Sequence, residues 1–141
     1  MPDSSSSLSA DLRAATLRLA RRLRQEKADD DVSESQMSVL AYLVRHDSQT
    51  PNALASWEHV SPPSMNRTLN SLEDAGYVTR TPSDDDRRKV IVTATDAGRR
   101  VVHETRRRRD AWLDQRLEAL SGEERQALES AAGVMRKLLE R

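Results

Sequence analysis

Residues 61–98 constrain the fold of this chain more than any other stretch. Ser61-Pro62-Pro63 opens a helix: Ser61 can cap it, and the first helical turn has no use for the N–H groups that prolines lack. The helical pattern runs to about Ala75. Gly76 then supplies the stop, because glycine takes the left-handed cap at little cost. Residues 77–81 and 89–93 are β-branched segments separated by the charged loop 82–88, which is the pattern of a hairpin. Thr95 or Asp96 starts another helix at once. Helix, strand, acidic turn, strand and helix therefore follow one another without a linker.

The rest of the chain reads as helices. Residues 1–7 are expected to be a disordered polar tail. A helix from about Leu8 to Lys27 places Leu8, Leu12, Ala15, Leu19 and Leu23 at amphipathic spacing, and Ala28-Asp29-Asp30-Asp31 breaks it. Ser33 and Gln36 form a capping box for a second helix, whose stripe is Met37, Leu40, Ala41 and Val44 and which stops near His46-Asp47. Thr50 and Pro51 start a short helix to about His59. Beyond the hairpin, a long helix passes through Val101, Val102, Trp112, Leu113 and Leu117. Ser121 and Glu124 cap a last helix.

Composition removes several classes of function. There is no cysteine, so disulfides, thiolate zinc sites and thiol redox chemistry are excluded. His46, His59 and His103 lack metal-ligand spacing, and no cofactor is expected. No phosphate-binding glycine loop or nucleophile elbow is present, so the chain is not expected to be an enzyme. The N-terminal residues carry no signal-peptide pattern and no apolar run reaches membrane length. A cytoplasmic protein with no membrane partner is the expectation. With no Phe, the core must be aliphatic.

The formal net charge is zero, but its distribution is uneven. Arginines crowd the first helix at 13, 18, 21, 22 and 24 and the long helix at 99, 100 and 106–109. They fit either solvated faces balanced by acidic loops or a surface for anions.

At about 100° per residue, Met65, Leu69 and Leu72 share one face of the helix that follows Ser61. Pro63, Arg67, Asn70 and Asp74 lie opposite, flanked by Asn66 and Ser71. Arginine can fork onto guanine, asparagine can pair with adenine, and serine can bond a base or a phosphate. An ordinary surface helix has a similar polar face. Here a short helix and a tight turn precede it, and a hairpin ending in Arg87-Arg88-Lys89 follows. That is the order of a helix-turn-helix with a wing able to reach phosphates or a minor groove. Asp86 can aim one of the arginines while Asp84 and Asp85 face solvent; the alternative is a floppy charged loop.

The chain is similar here to the multiple-antibiotic-resistance regulator (MarR) family of bacterial transcription factors. The likeness is carried by Thr50 to Ala55, Val60 to Arg67 and Leu72 to Val78, then by Asp86-Arg87-Arg88, Val90, Val92, Thr93 and Thr95 to Gly98. It departs at Trp57-Glu58-His59, where smaller residues are usual, and at Ala94, often Leu. The resemblance implies a mainly α fold with a small β-hairpin wing, that is, a winged helix-turn-helix flanked by N- and C-terminal dimerisation helices. It implies one domain over 8–141, with the reading unit at about 33–95 and the pairing helices at 8–27 and 96–141. It implies a homodimer on a pseudo-palindromic double-stranded DNA operator, with Ser61, Pro63, Ser64, Asn66, Arg67, Asn70, Asp86, Arg87 and Arg88 at the DNA, Arg88 being oriented by Asp86. Repression is the expected mode.

Leu8, Leu12, Leu117, Leu120, Leu128, Ala131, Met135, Leu138 and Leu139 make more apolar surface than one small reading unit can cover, so they are expected at a dimer interface; an intrachain bundle is the alternative. The resemblance also implies release of DNA by a small aromatic or anionic effector, with Arg13, Arg21 and Arg106 for charge and Met37, Tyr42 and Trp112 as lining. A helical protein-interaction module and a non-specific architectural DNA binder remain as rival functions.

Overall fold

The computed structural model describes residues 4–140, with side-chain surroundings from residue 7 onward. The chain runs α1 (Ser4–Arg24), α2 (Glu34–His46), α3 (Pro51–Glu58), α4 (Pro62–Asp74), β1 (Val78–Pro82), β2 (Val90–Ala94), α5 (Asp96–Glu118) and α6 (Gly122–Leu139). The helix starts follow from side-chain chemistry. Ser33, Thr50, Ser61, Thr95 and Ser121 each accept a hydrogen bond from a backbone N–H of the first turn, and the boxes Ser33/Gln36 and Ser121/Glu124 are reciprocal.

Two boundaries differ from expectation. Helix α1 begins at Ser4, so residues 4–7 are helical rather than tail; the part of the expected tail at 1–3 lies outside the described residues. It also ends at Arg24, before the expected Lys27. There the N–H groups of Gln25 and Glu26 turn back to the carbonyls of Arg22 and Leu23 in a tighter last turn.

β1 and β2 pair antiparallel with Val78 opposite Ala94 and Pro82 opposite Val90, one residue later than the sequence suggests. The reason lies at Tyr77. Its N–H closes the exit of α4 on Leu72 at 2.9 Å, and its carbonyl accepts from Thr95 N–H at 2.9 Å, so Tyr77 serves the helix junctions rather than the ladder. Gln49 adds a bridge to Val92 on the other edge of β2.

The core is aliphatic. Met37, Val39, Leu40 and Leu43 of α2 meet Leu54 of α3, Met65, Leu69 and Leu72 of α4, Val78 and Val92 of the hairpin, and Val101 and Val102 of α5. The sequence stripe of α2 named Ala41 and Val44, which are only partly buried, and missed Val39 and Leu43. Helix α2 is packed on more than one side, so its buried arc is wider than a single stripe.

A seam joins the hairpin to α5. Thr95 Oγ1 donates to the Gly76 carbonyl at 2.6 Å, and a Cβ added at Gly98 would collide with the Tyr77 carbonyl. Gly76 itself has φ 82, the left-handed value that its place after α4 requires. Asp29 in the α1–α2 connection accepts from Tyr77 Oη at 2.5 Å. That bond pushes the Tyr77 phenol up from the usual 10.0 to about 12 and holds the Asp29 carboxyl below its ordinary range.

Candidate nucleic-acid interface

Helices α3 and α4 meet through a turn set by His59, which takes a left-handed conformation at φ 58 and closes α3 with its N–H on Ser56 O at 3.3 Å. Val60 N–H reaches back to Ala55 O at 3.0 Å, and Ser61 then caps α4. Histidine takes the left-handed region more often than most residues but still rarely, so the sequence did not single out His59 for it.

Met65, Leu69 and Leu72 are fully buried and lock α4 in rotation. Ser61, Pro63, Asn66, Arg67 and Asn70 are exposed on the other side, and Ser64 is half-buried. Among the described residues nothing pairs with the Arg67 guanidinium; its backbone carbonyl accepts from Ser71 Oγ at 3.2 Å. Asn70 is different: its Oδ1 accepts from Arg80 Nη2 at 2.6 Å, and Arg80 also forks onto Glu73. Arg80, on β1, was not singled out from sequence. Alternation along the strand puts it on the face opposite to Thr79 and Thr81 but says nothing of its partners on α4.

The wing loop is built rather than floppy. Ser83 N–H donates to Lys89 O at 2.8 Å and Lys89 N–H to Asp86 O at 2.9 Å. Asp86 Oδ1 accepts from Arg88 N–H at 3.0 Å and from Arg88 Nε at 3.3 Å, while the Arg88 side chain stays 92% exposed. Asp84, Asp85 and Arg87 face solvent. One carboxylate thus fixes the root of Arg88 and leaves its outer guanidinium nitrogens free. A notch of about 440 Å³ separates the wing base, at Arg88, Lys89 and Val90, from the start of α3 at Thr50, Pro51 and Asn52.

The chain matches the model of the MarR family over residues 32–90. It is 43% identical over 140 residues to an HTH-type transcriptional regulator of Mycobacterium tuberculosis, covering 99% of this chain and 98% of that protein. The chain belongs to the MarR family. A Bacillus subtilis HTH-type regulator, YfiV, is 31% identical over 110 residues, 78% of this chain and 69% of its own length. Among solved structures, a Pseudomonas aeruginosa protein superposes with TM-score 0.88 at 29% identity over 99% of both chains. A MarR-family protein from Bacillus stearothermophilus gives 0.84 at 20% identity, covering 98% of this chain and 96% of that one. The architecture is a winged helix-turn-helix. Like other MarR-family proteins the chain is a DNA-binding transcriptional regulator and not an enzyme.

The departures from the family pattern have local explanations. Trp57 stacks on Tyr42 at 4.2 Å between ring centroids, Glu58 accepts from Ser38 Oγ at 3.2 Å, and Ala94 is buried beside the α5 start. The long-helix arginines are largely consumed within this MarR-family chain. Arg109 donates to Leu23 O and to Glu34, and Arg108 to Lys27 O, so together they cap the end of α1 and its connection. Arg107 and Arg108 also clamp Glu104 and pull its carboxyl down to about 2.

The six residues expected to surround an effector are not gathered. Met37 is core. Tyr42 lies between His46 and Trp57. Trp112 is held between the Arg22 and Arg116 guanidiniums, at 4.7 and 5.0 Å from its ring centroid. Arg21 and Arg106 are exposed, and Arg13 lines a different cavity of about 650 Å³ between α1 and α6.

That cavity, walled by Leu12, Leu17, Met135, Leu138 and Leu139, is the visible sign of an uncovered apolar face. Leu8 is 66% exposed, Leu138 67% and Leu139 85%. Leu128 is half-exposed, and Leu12, Leu117, Leu120, Ala131 and Met135 are partly covered. Leu17 and Val134 belong to this surface too and were missed from sequence. Among the described residues no cluster of metal ligands occurs, and no helix is long and apolar enough to cross a membrane.

Proposed function

We propose that the chain is a repressor that binds a pseudo-palindromic operator as a homodimer, with α4 in the major groove and the wing at the flanking minor groove. The observation that carries this reading is the pairing of two exposed, aimed cations with a locked helix. Arg67 stands on the free face of α4, and Arg88 is rooted by Asp86 on the wing. Ser61, Pro63, Ser64, Asn66 and Asn70 complete the α4 contact surface, and Arg87 adds charge at the wing. The reading unit is residues 33–95.

The homodimer is supported by the uncovered leucines of α1 and α6, which lie within the pairing segments 8–27 and 96–141. A second copy presenting the same face buries both, and helix-turn-helix dimers need their reading helices about one DNA turn apart. Because the net charge is zero, affinity rests on a few well-placed cations rather than on the overall charge of the chain. Release by an aromatic or anionic effector draws on family likeness; the α1–α6 and α5 surfaces are where ligand soaks are best aimed.

Arg88→Ala tests the wing. Gel shifts across a salt titration are expected to show weaker operator binding and a log–log salt slope reduced by about two, one contact for each subunit. Unchanged affinity and slope sink the wing assignment.

A further inference from the structure

The carboxamide of Asn70 is not free to turn. Arg80 Nη2 donates to Asn70 Oδ1 at 2.6 Å and to Glu73 Oε1 at 3.1 Å, while Arg80 Nε donates to Glu73 Oε2 at 3.3 Å. A guanidinium carries donors only, so the amide oxygen must face it and the amide NH2 must face away. The chemistry of the neighbour thereby removes the usual ambiguity of an asparagine amide. Asn70 and Glu73 lie one turn apart on α4, and Arg80 lies mid-strand on β1, so the clamp joins the exposed helix to the wing. Arg80 is three-quarters covered, with 25% of its side chain exposed, and the fork onto Glu73 keeps that carboxyl below its ordinary range. The clamp is therefore ionised throughout the neutral range.

The geometry points to Arg80 as a positioning residue that sets base preference: with Oδ1 held, Asn70 offers DNA only N–H donors. This rests on the reading that the exposed face of α4 meets the major groove. A free asparagine pairs with adenine by donating to N7 and accepting from N6. Held by Arg80, the amide oxygen has one lone pair engaged and is turned toward β1, so Asn70 presents its NH2 outward and loses the accepting half of that pair. It matches instead the edges that present acceptors, guanine O6 and N7 or thymine O4. An asparagine on a reading helix would ordinarily suggest adenine; the neighbouring strand reverses the expectation.

The test is selection of bound duplexes from a randomised pool by the full-length wild type and three variants. At one position of each half-site the wild type is expected to favour guanine or thymine, and Asn70→Ala to lose that preference. Asn70→Asp keeps one oxygen on Arg80 and turns an acceptor outward, so the preference moves to cytosine. Arg80→Leu releases the amide and moves it toward adenine by about tenfold. A uniform loss of affinity in Arg80→Leu, with its profile and that of Asn70→Asp unchanged, makes Arg80 a brace alone and overturns the inference. If Arg80→Leu fails to fold by circular dichroism, Asn70→Asp decides: no cytosine shift overturns it. A wild type that selects a motif in which no position responds to Asn70→Ala overturns the inference and leaves the proposed function standing. One that selects no motif at all overturns both.

Discussion

The segment from α2 to β2 and the helices α1 and α6 use leucine in opposite ways. In the first, Leu40, Leu43, Leu54, Leu69 and Leu72 are sealed from water. In α1 and α6 no described residue is buried, although Leu8, Leu12, Leu128, Leu138 and Leu139 repeat at the same helical spacing. Periodicity says which side of a helix avoids water. It does not say whether the cover comes from the same chain. The segment whose core is closed within the chain, with Val101 and Val102 of α5, is the one that positions Arg67 and Arg88; the helices left uncovered are free to be completed by another molecule.

The contrast is broken most directly by matched truncations. Leu69→Ala is expected to cost about 2–5 kcal/mol in urea unfolding, with a cavity left in a closed core. Leu138→Glu should instead leave the reading unit folded, produce a single-chain species in sedimentation, and make the melting midpoint independent of protein concentration. Sedimentation identical to wild type would erase the distinction between the two regions.

Smaller effects sharpen it within the reading unit and at its junction with α5. Gly98→Ala should lose about 1–2 kcal/mol because the new methyl meets the Tyr77 carbonyl. Alanine is the better helix former by about 1 kcal/mol, so a net loss shows that the backbone contact governs. Tyr77→Phe should cost about 1 kcal/mol at neutral pH, the worth of one hydrogen bond. Its pH signature has a definite sign. The phenol has a raised pKa in the folded protein, so its contribution is full below pH 10.0 and is lost as pH rises through about 12. Asp29 is depressed, so its contribution is present above 3.8 and is lost as pH falls through its lower folded value. In urea titrations at both extremes the variant should lose the alkaline dependence and keep a reduced acid one, because Asp31 N–H and Lys27 still hold the Asp29 carboxyl down. Last, Asp47 has φ 58 and ψ -129, a conformation that suits glycine, and Asp47→Gly should gain about 1 kcal/mol. None of these three should vary with protein concentration.

Much of this was legible in residue types. Five caps, the stop at Gly76, the burial of Met65, Leu69 and Leu72, and the Asp86–Arg88 pairing all follow from local chemistry with short reach. What was not legible depends on residues distant in sequence. Arg80 matters because β1 lies beside α4, the Arg108 and Arg109 caps because α5 passes the end of α1, and Val39 and Leu43 are core because α2 is enclosed. The strand bounds moved by one residue because Tyr77 is claimed by Leu72 and Thr95, neither of them in its own strand. The effector residues were expected in one crevice beside the dimer helices; within the single chain Met37 is buried in the core and Arg13 lines the α1–α6 cavity.

The seam at Gly98 has a mechanical consequence. With the Tyr77 carbonyl pressed where a side chain would stand, and Thr95 bonded to Gly76, the start of α5 cannot slide against the root of the hairpin. It can only tilt and carry the hairpin with it. From that fulcrum the strand reaches roughly 16 Å to the loop, so a tilt of about 10° sweeps the loop through roughly 3 Å. That is about the length of one hydrogen bond, enough to move Arg88 between touching and missing its target.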